Sequence, residues 1–389
     1  MAKINSIETV LVHLPTRREH KWTGLTEPIG RYILVKITSD DGLTGWGEAP
    51  ALKDWGGEYG RYFGESPVIT ETVIKNYLGP VVLDIEVGNI IEAHRRMDAI
   101  IKGYPYAKAA IETALYDIAG RTLNCPVHTL LGGKIRDTIP VTHSIGLLDI
   151  DIAEKEAIKV ISEDIKTLKI KVGVNADRDI EIVRRIRDAV GPSVDLCVDA
   201  NEGYATPGEA IKIIKKMESY NLKYVEQPVT GIERNAIVAK AIDTPLMLDE
   251  SAWNAHDIIQ IIEAKAADIV SIYTTKPGGL YRAMEVAAVC KAAGIICNVN
   301  GSVETGVGNL ANIQLAAAAQ SVVLSCVVPV STPRNCIDDR VAGIYYSDDF
   351  LLKPMNYFDG KIEVPLGVGM GLDIDLDKVN KYRINEENK

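Results

Sequence analysis

Between residues 167 and 251, four short apolar runs each end in ionisable side chains: Leu168-Lys169-Ile170-Lys171, Leu196-Cys197-Val198-Asp199-Ala200-Asn201, Tyr224-Val225-Glu226-Gln227-Pro228 and Leu246-Met247-Leu248-Asp249-Glu250-Ser251. Each reads as a buried strand with its chemistry at the carboxyl end. Asp199, Glu226 and Asp249 are about one strand–helix unit apart, so they converge only if their strands lie parallel and adjacent, as at the C-terminal face of a barrel. Convergent carboxylates repel unless a cation lies among them, and an all-oxygen donor set selects Mg²⁺ or Mn²⁺ over zinc. Lys169 and Lys171 are two residues apart, so on a strand they share a face and point into the same mouth. Beside a divalent cation a paired amine has its ammonium form disfavoured; its pKa falls and it becomes a candidate general base. Taken alone, Lys-x-Lys equally describes a solvated edge strand. The acids ending the next three strands are what favours an active site.

The elements that must position these groups fall into two blocks. Residues 6–14, 32–38 and 44–48 read as strands, with Asp40-Asp41-Gly42 as a hairpin turn, and helical patterns follow at 68–77, 86–101 and 106–122. Strands first and helices after describe an α+β cap. From about residue 139 the rhythm alternates, with strands near Val141, Lys169, Val198, Val225, Met247, Ser271, Cys297 and Leu324. The expected division is 1–125 as the cap, 126–355 as the barrel and 356–389 as a C-terminal segment.

With those motifs in that order, the chain resembles the enolase superfamily, and within it the mandelate racemase/muconate lactonizing subgroup. The resemblance rests on Lys169-x-Lys171, Asp199-Ala-Asn201, Glu226-Gln-Pro and Asp249-Glu250-Ser. It covers nearly the whole chain. It implies an α/β fold, a modified TIM barrel of (β/α)₇β form with an α+β capping domain to which the tail returns. It implies further that Asp199, Glu226 and Asp249 hold Mg²⁺, with Asn201 and Glu250 as outer supports. Lys171 is then the base and Lys169 helps stabilise an ene-diolate, as in enolase-type sites generally. Cap loops over the mouth contribute substrate contacts, here Asp54, Trp55 and Tyr59, with Trp22, Glu58 and Tyr62 nearby; aromatic rings there suit a ligand ammonium or simply pack the cap on the barrel.

The chain departs from the pattern at its sixth barrel strand. Relatives with a second lysine place it five residues before a Gly-Gly pair and five after an aspartate. Counting from Gly278-Gly279 and from Asp268 lands both times on Tyr273. Lys276 is an odd number of residues away, which on a continuing strand puts it on the opposite face. A base on one face cannot invert a stereocentre, so Tyr273, as a weak acid or hydrogen-bond donor with Thr274 and Thr275 beside it, favours a reaction completed by loss of a leaving group. A mandelate-racemase-type His–Asp pair needs a histidine after the seventh strand, and the last histidine is His256. His143 reads as a core histidine or a mouth residue; Glu304 as a pocket residue or an acid at a helix N-terminus.

The expectation is a Mg²⁺-dependent lyase that takes the α-proton of a small carboxylate and expels a β-substituent, with dehydration of cis-3-hydroxy-L-proline as its most specific form. The alternatives are muconate-type cycloisomerisation, racemisation or epimerisation of an amino-acid derivative or proline betaine, and a metal-dependent binding protein on an inactive barrel. The charge balance, 43 basic against 53 acidic residues, argues against a nucleic-acid partner. No apolar run approaches membrane-spanning length and residues 1–9 lack a signal core. The six cysteines include no Cys-x-x-Cys, which reads as reduced and cytoplasmic. A homo-oligomer, dimer or octamer, is expected from the resemblance alone.

Overall fold

The computed structural model describes residues 2–57, 62 and 64–384. Strands β1 (Ile4–His13), β2 (Arg31–Ser39) and β3 (Thr44–Ala49) form an antiparallel meander. The helix Pro105–Thr122 lies across it, buried almost throughout. The glycines of β3 permit this closeness: a Cβ at Gly47 would collide with the Ala110 carbonyl oxygen. Glu65, next to the 50s loop, receives the backbone N–H groups of Tyr106 and Ala107 at the start of that helix.

After β4 (Thr138–Pro140) the chain enters a parallel sheet of β5 (Thr142–Ile145), β6 (Thr167–Lys171), β7 (Asp195–Asp199), β8 (Leu222–Glu226), β9 (Leu246–Leu248), β10 (Ile269–Ile272) and β11 (Ile296–Val299), paired in sequence order. A helix follows each strand, from Ile150–Ile161 to Gly306–Ala318, several of them started by the side chain of Asn175, Thr206 or Asn254 accepting first-turn N–H groups. The strand expected near Leu324 is not regular. Instead residues 321–327 bridge β11 to β5 through isolated pairs, Cys297 with Val322 and Val141 with Cys326. That segment is the eighth stave, and past it the described chain holds only a single 3₁₀ turn before β12 (Tyr357–Phe358) and β13 (Lys361–Glu363), which extend β4 into a three-stranded sheet in the order β12-β13-β4. The architecture is the (β/α)₇β barrel with a separate cap.

Two cap carboxylates dock the domains by capping barrel helices. Glu112 accepts the N–H groups of Leu280 and Tyr281 at 2.8 and 2.7 Å, and Gly279 is required there: its φ is 135° and a Cβ would overlap the Glu112 carboxyl group. Glu48 of β3 accepts from Thr305 and Gly308 N–H groups, 2.9 Å each, at the start of the Gly306–Ala318 helix. Burial raises the Glu48 carboxyl from 4.5 to about 8, hydrogen bonds from Thr305 and Gly308 opposing. Between those pH values the folded protein retains a proton that the unfolded chain has released, so this group lowers stability as pH rises from about 4.5 towards 8. The expected result is that Glu48→Gln flattens that decline, by at most about 1.4 kcal/mol per pH unit. Urea unfolding at pH 5.5 and 8 measures it; equal slopes in both proteins would remove Glu48 as the cause.

Candidate active site

Parallel register brings the chemistry to one end of the barrel. Lys171, Asp199 and Glu226 are successive Cα partners across β6, β7 and β8; Asp249 follows β9 directly. The side chain of Gln227 sets the last two ends relative to each other: it accepts the N–H groups of Asp249 and Ser251 and donates to Ser251 Oγ at 2.8 Å. That is a physical reason for Glu-Gln on one strand and Asp-Glu-Ser on the next.

The ammonium of Lys171 donates to Asp199 Oδ2 at 2.6 Å and to Asn201 Oδ1 at 2.7 Å. Asn201 in turn donates to Glu250 Oε1 at 2.7 Å. Lys169 lies 3.0 Å from Asp199 and 3.1 Å from Glu226. All of these groups are buried. Burial alone would raise the Asp199 carboxyl; Lys171 and Lys169 outweigh it and hold it at about 2. Glu226 goes the other way, to about 8, through burial and the Asp199 charge, Lys169 only partly compensating. Burial pulls the Lys169 ammonium down, but Glu226, Asp199 and Asp249 hold it above the usual lysine value. In this arrangement the lysines themselves neutralise the acids.

Among the described residues no three acids, histidines or cysteines stand at metal-binding spacing. The donor set nevertheless fits a hard divalent cation. Four buried carboxylates (Asp199, Glu226, Asp249, Glu250) face three ammonium groups (Lys169, Lys171, Lys276), and Glu250 Oε2 is buried without a hydrogen-bond partner. Asp199, Glu226 and Asp249 would hold the ion once the lysines yield their carboxylate oxygens.

The position of Lys276 corrects the strand-period expectation. β10 ends at Ile272, and residues 273–279 form a turn in which Gly278 and Gly279 N–H groups bond Thr275 and Thr274 carbonyls. Period-two alternation stops there. Lys276 therefore folds back to the same side as the acids, donating to Asp249 Oδ1 at 2.7 Å, to the Asp249 carbonyl at 2.9 Å and to the Ser271 carbonyl at 2.8 Å. Tyr273 lies over it, 4.2 Å from ring centroid to Nζ, and its hydroxyl donates to Asp249 Oδ2 at 2.8 Å. Burial and the Asp249 charge push the phenol well above 10, so it is neutral.

A narrow cavity of about 30 Å³ opens onto the two β6 lysines, Asn201 and Tyr273. Trp22, Trp55 and Tyr345 supply aromatic walls, and His20, Ser144 and Asn300 supply polar ones. Trp55 stacks on Tyr273 at 5.3 Å. An open groove of about 830 Å³ elsewhere on the cap, lined by His13, Arg31 and Lys381 among others, lacks any convergence of catalytic groups.

Of the remaining sequence candidates, Asp54 does not face the cavity: its carboxylate accepts from Thr26 N at 2.9 Å and pairs with Lys53, pinning the 20s loop. Thr275 is buried outside the lining with its hydroxyl unpartnered. Glu304 is buried behind the wall, accepts Ser302 N–H at 3.0 Å, and burial raises it to about 7. Tyr59 and Glu58 lie outside the described residues. His143 is a satisfied interior histidine, Nε2 2.8 Å from Glu156 and Nδ1 accepting from Gly343 N–H. Its neighbour Ser144 takes the inner face instead. Sequence reasoning missed His20, Ser144, Tyr345 and Asn300 because they come from four separate segments; Ser144 had a signal in the alternation along β5 and Asn300 in its position directly after β11.

Two family models match the chain: "Mandelate racemase / muconate lactonizing enzyme, N-terminal domain" over residues 6–132 and "Enolase C-terminal domain-like" over 153–379. Muconate cycloisomerase 1 of Rhodococcus opacus is 30% identical over 392 aligned residues, covering 98% of this chain and 99% of the relative. N-succinyl-L-Arg/Lys racemase of Bacillus cereus is also 30% identical, covering 99% of each. Among solved structures, muconate lactonizing enzyme from Pseudomonas fluorescens complexed with muconolactone matches with TM-score 0.88 at 28% identity, over 98% of this chain and 100% of that one.

Proposed function

Because the chain belongs to the mandelate racemase/muconate lactonizing enzyme family of the enolase superfamily, we propose that it moves one α-proton of a small carboxylate through Lys171 and completes the reaction at a neighbouring carbon. The observation that carries this reading is the one-sidedness of the amines. Both ammonium groups lining the cavity, Lys169 and Lys171, come from β6, while the sixth-strand position holds neutral Tyr273 with its hydroxyl turned to Asp249. One base serves cycloisomerisation, the reaction in the names of the muconate relatives, and equally a β-elimination.

A second feature favours elimination from an amino acid, of which dehydration of cis-3-hydroxy-L-proline is the specific instance. Trp22, Trp55, Tyr273 and Tyr345 ring the cavity, and aromatic faces attract an ammonium and offer nothing to a second carboxylate. In either case Lys171 exchanges the proton, Asn201 orients its amine, and Lys169 places positive charge beside the substrate carboxylate. A divalent cation bound by Asp199, Glu226 and Asp249 supplies further positive charge where negative charge develops, and such electrostatic stabilisation contributes most of the rate enhancement in sites of this kind. Small carboxylates are the expected partners, and a dimer or octamer the expected assembly.

The test is incubation in D₂O with Mg²⁺ and a panel containing cis,cis-muconate, cis-3-hydroxy-L-proline and N-succinyl amino acids, followed by NMR and chiral analysis. Product formation with loss of the α-proton, and deuterium at the α-carbon with configuration retained in any substrate recovered, is the expected result. Racemase and epimerase relatives make inversion the competing outcome, and scrambled configuration would overturn the single-face reading. The ring of Tyr273 is expected to matter more than its hydroxyl: Tyr273→Phe should keep exchange within about 10²-fold, the size of one hydrogen bond to a charged group, as read by the same NMR rates.

A further inference from the structure

Beside the catalytic lysines the cavity has a second polar corner whose hydrogen-bonding state is determined by a buried chain of contacts. Arg18, from the 20s segment, donates to Glu156 Oε1 at 2.9 Å, to the Ile344 carbonyl at 3.2 Å and to the Ser144 carbonyl at 3.1 Å. Its Nη1 also faces His20 Nδ1 at 3.4 Å. The guanidinium has no acceptor capacity, so in that contact Nδ1 accepts. Neutral His20 then carries its proton on Nε2. Nε2 therefore presents a donor and cannot act as a base. The rest of the chain holds Arg18 in place, since Glu156 is also bound to His143 Nε2 at 2.8 Å and His143 Nδ1 accepts from Gly343 N–H.

Two polar groups of this corner line the cavity. His20 lines the cavity, its ring braced edge-on by Tyr345 at 5.0 Å. Ser144 is 1% exposed, its hydroxyl has no hydrogen-bond partner, and it is the Cα partner of Lys169. Leaving a buried hydroxyl unpaired is unfavourable, and a ligand oxygen removes that cost.

We propose that His20 and Ser144 form an acceptor-oxygen subsite: the substrate carries a neutral hydroxyl or carbonyl oxygen near the reacting carbon, which accepts from His20 Nε2–H and meets Ser144 Oγ. The subsite excludes an ammonium at that end, because a donor would meet a donor with Arg18 and Lys171 close behind. It thus orients the substrate, with nitrogen towards the Trp55 and Tyr273 rings and oxygen towards His20. This deepens, and rests on, the single-face proton-transfer reading.

The test compares wild type, His20→Leu, His20→Gln and Ser144→Ala on two probes differing by one oxygen, cis-3-hydroxy-L-proline and L-proline, by α-proton exchange in D₂O. Wild type should exchange the hydroxylated probe at least about tenfold faster in kcat/KM. That preference should vanish in His20→Leu, shrink in Ser144→Ala, and return largely in His20→Gln, whose amide N–H replaces Nε2–H. Histidine ¹⁵N spectra of the metal-loaded protein at pH 7.5 give a readout independent of turnover: His20 should show a protonated Nε2 and an unprotonated Nδ1. A protonated Nδ1, or a probe preference unchanged in His20→Leu, overturns the subsite while leaving the proton-transfer reading intact. Absence of exchange with every acid of the wider panel overturns that reading, and the subsite with it.

Discussion

Replacing Lys171 with arginine is expected to eliminate both α-proton exchange and turnover, a fall of about 10³-fold or more, at the upper range for a positioned general base. Arginine rather than alanine is the decisive change. Lys171 pairs with fully buried Asp199 at 2.6 Å, and deleting one partner of a buried pair costs about 3–5 kcal/mol because the other charge is left uncompensated. A Lys171→Ala protein that lost activity through partial unfolding would therefore prove little. The guanidinium keeps the charge against Asp199 but remains protonated at any working pH, so charge is retained and basicity removed. Deuterium exchange rates with a matched thermal melt check both halves. Exchange at more than a tenth of the wild-type rate in a folded Lys171→Arg protein would transfer the role of base to another group, with Lys169 the nearest amine.

Chelation is expected to stop the reaction and Mg²⁺ to restore it, and Glu226→Gln should raise the Mg²⁺ concentration for half-maximal activity by at least about 10²-fold, beyond the 10–100-fold typical of outer supports. Of the three acids, Glu226 is the most informative because its charge is the least satisfied. Burial and Asp199 raise it to about 8, whereas the lysines hold Asp199 near 2. A carboxylate crowded in this way gains most from a neighbouring divalent charge. Lys169, now bonded to both Glu226 oxygens at 3.1 and 3.2 Å, would be displaced on binding, which lowers its ammonium stability in the direction a base or electrophile requires. Calorimetric titration of Mg²⁺ into both proteins separates binding from chemistry. Full turnover in excess EDTA, or an unchanged Mg²⁺ requirement in Glu226→Gln, would dismiss the metal site.

Barrel, cap, strand order and the convergence of the acids and the lysine pair at one barrel end were legible in the chain, because each depends on local rules that repeat along it. Buried strands show as apolar runs, helices as their spacing, and a parallel barrel brings the residue after each strand to the same end regardless of loop detail. The family motifs then share a site by register alone, as Lys171, Asp199 and Glu226 do. Where a strand ends inside a motif, those rules lose force: Lys276 faces the acids because the backbone turns after Ile272, and no period describes a turn. The irregular eighth stave at residues 321–327 has the same cause, single bridges in place of a ladder. Non-local packing decided the rest. Asp54, placed in the substrate pocket by its neighbourhood in sequence, is turned to Thr26 instead, and His20, in an unpatterned loop, is brought to the lysines by Arg18, whose partners lie on β5, on a barrel helix and after residue 340. A side chain's role there depends on which distant groups remain unpaired when the cap closes on the barrel, and only the assembled fold contains that information.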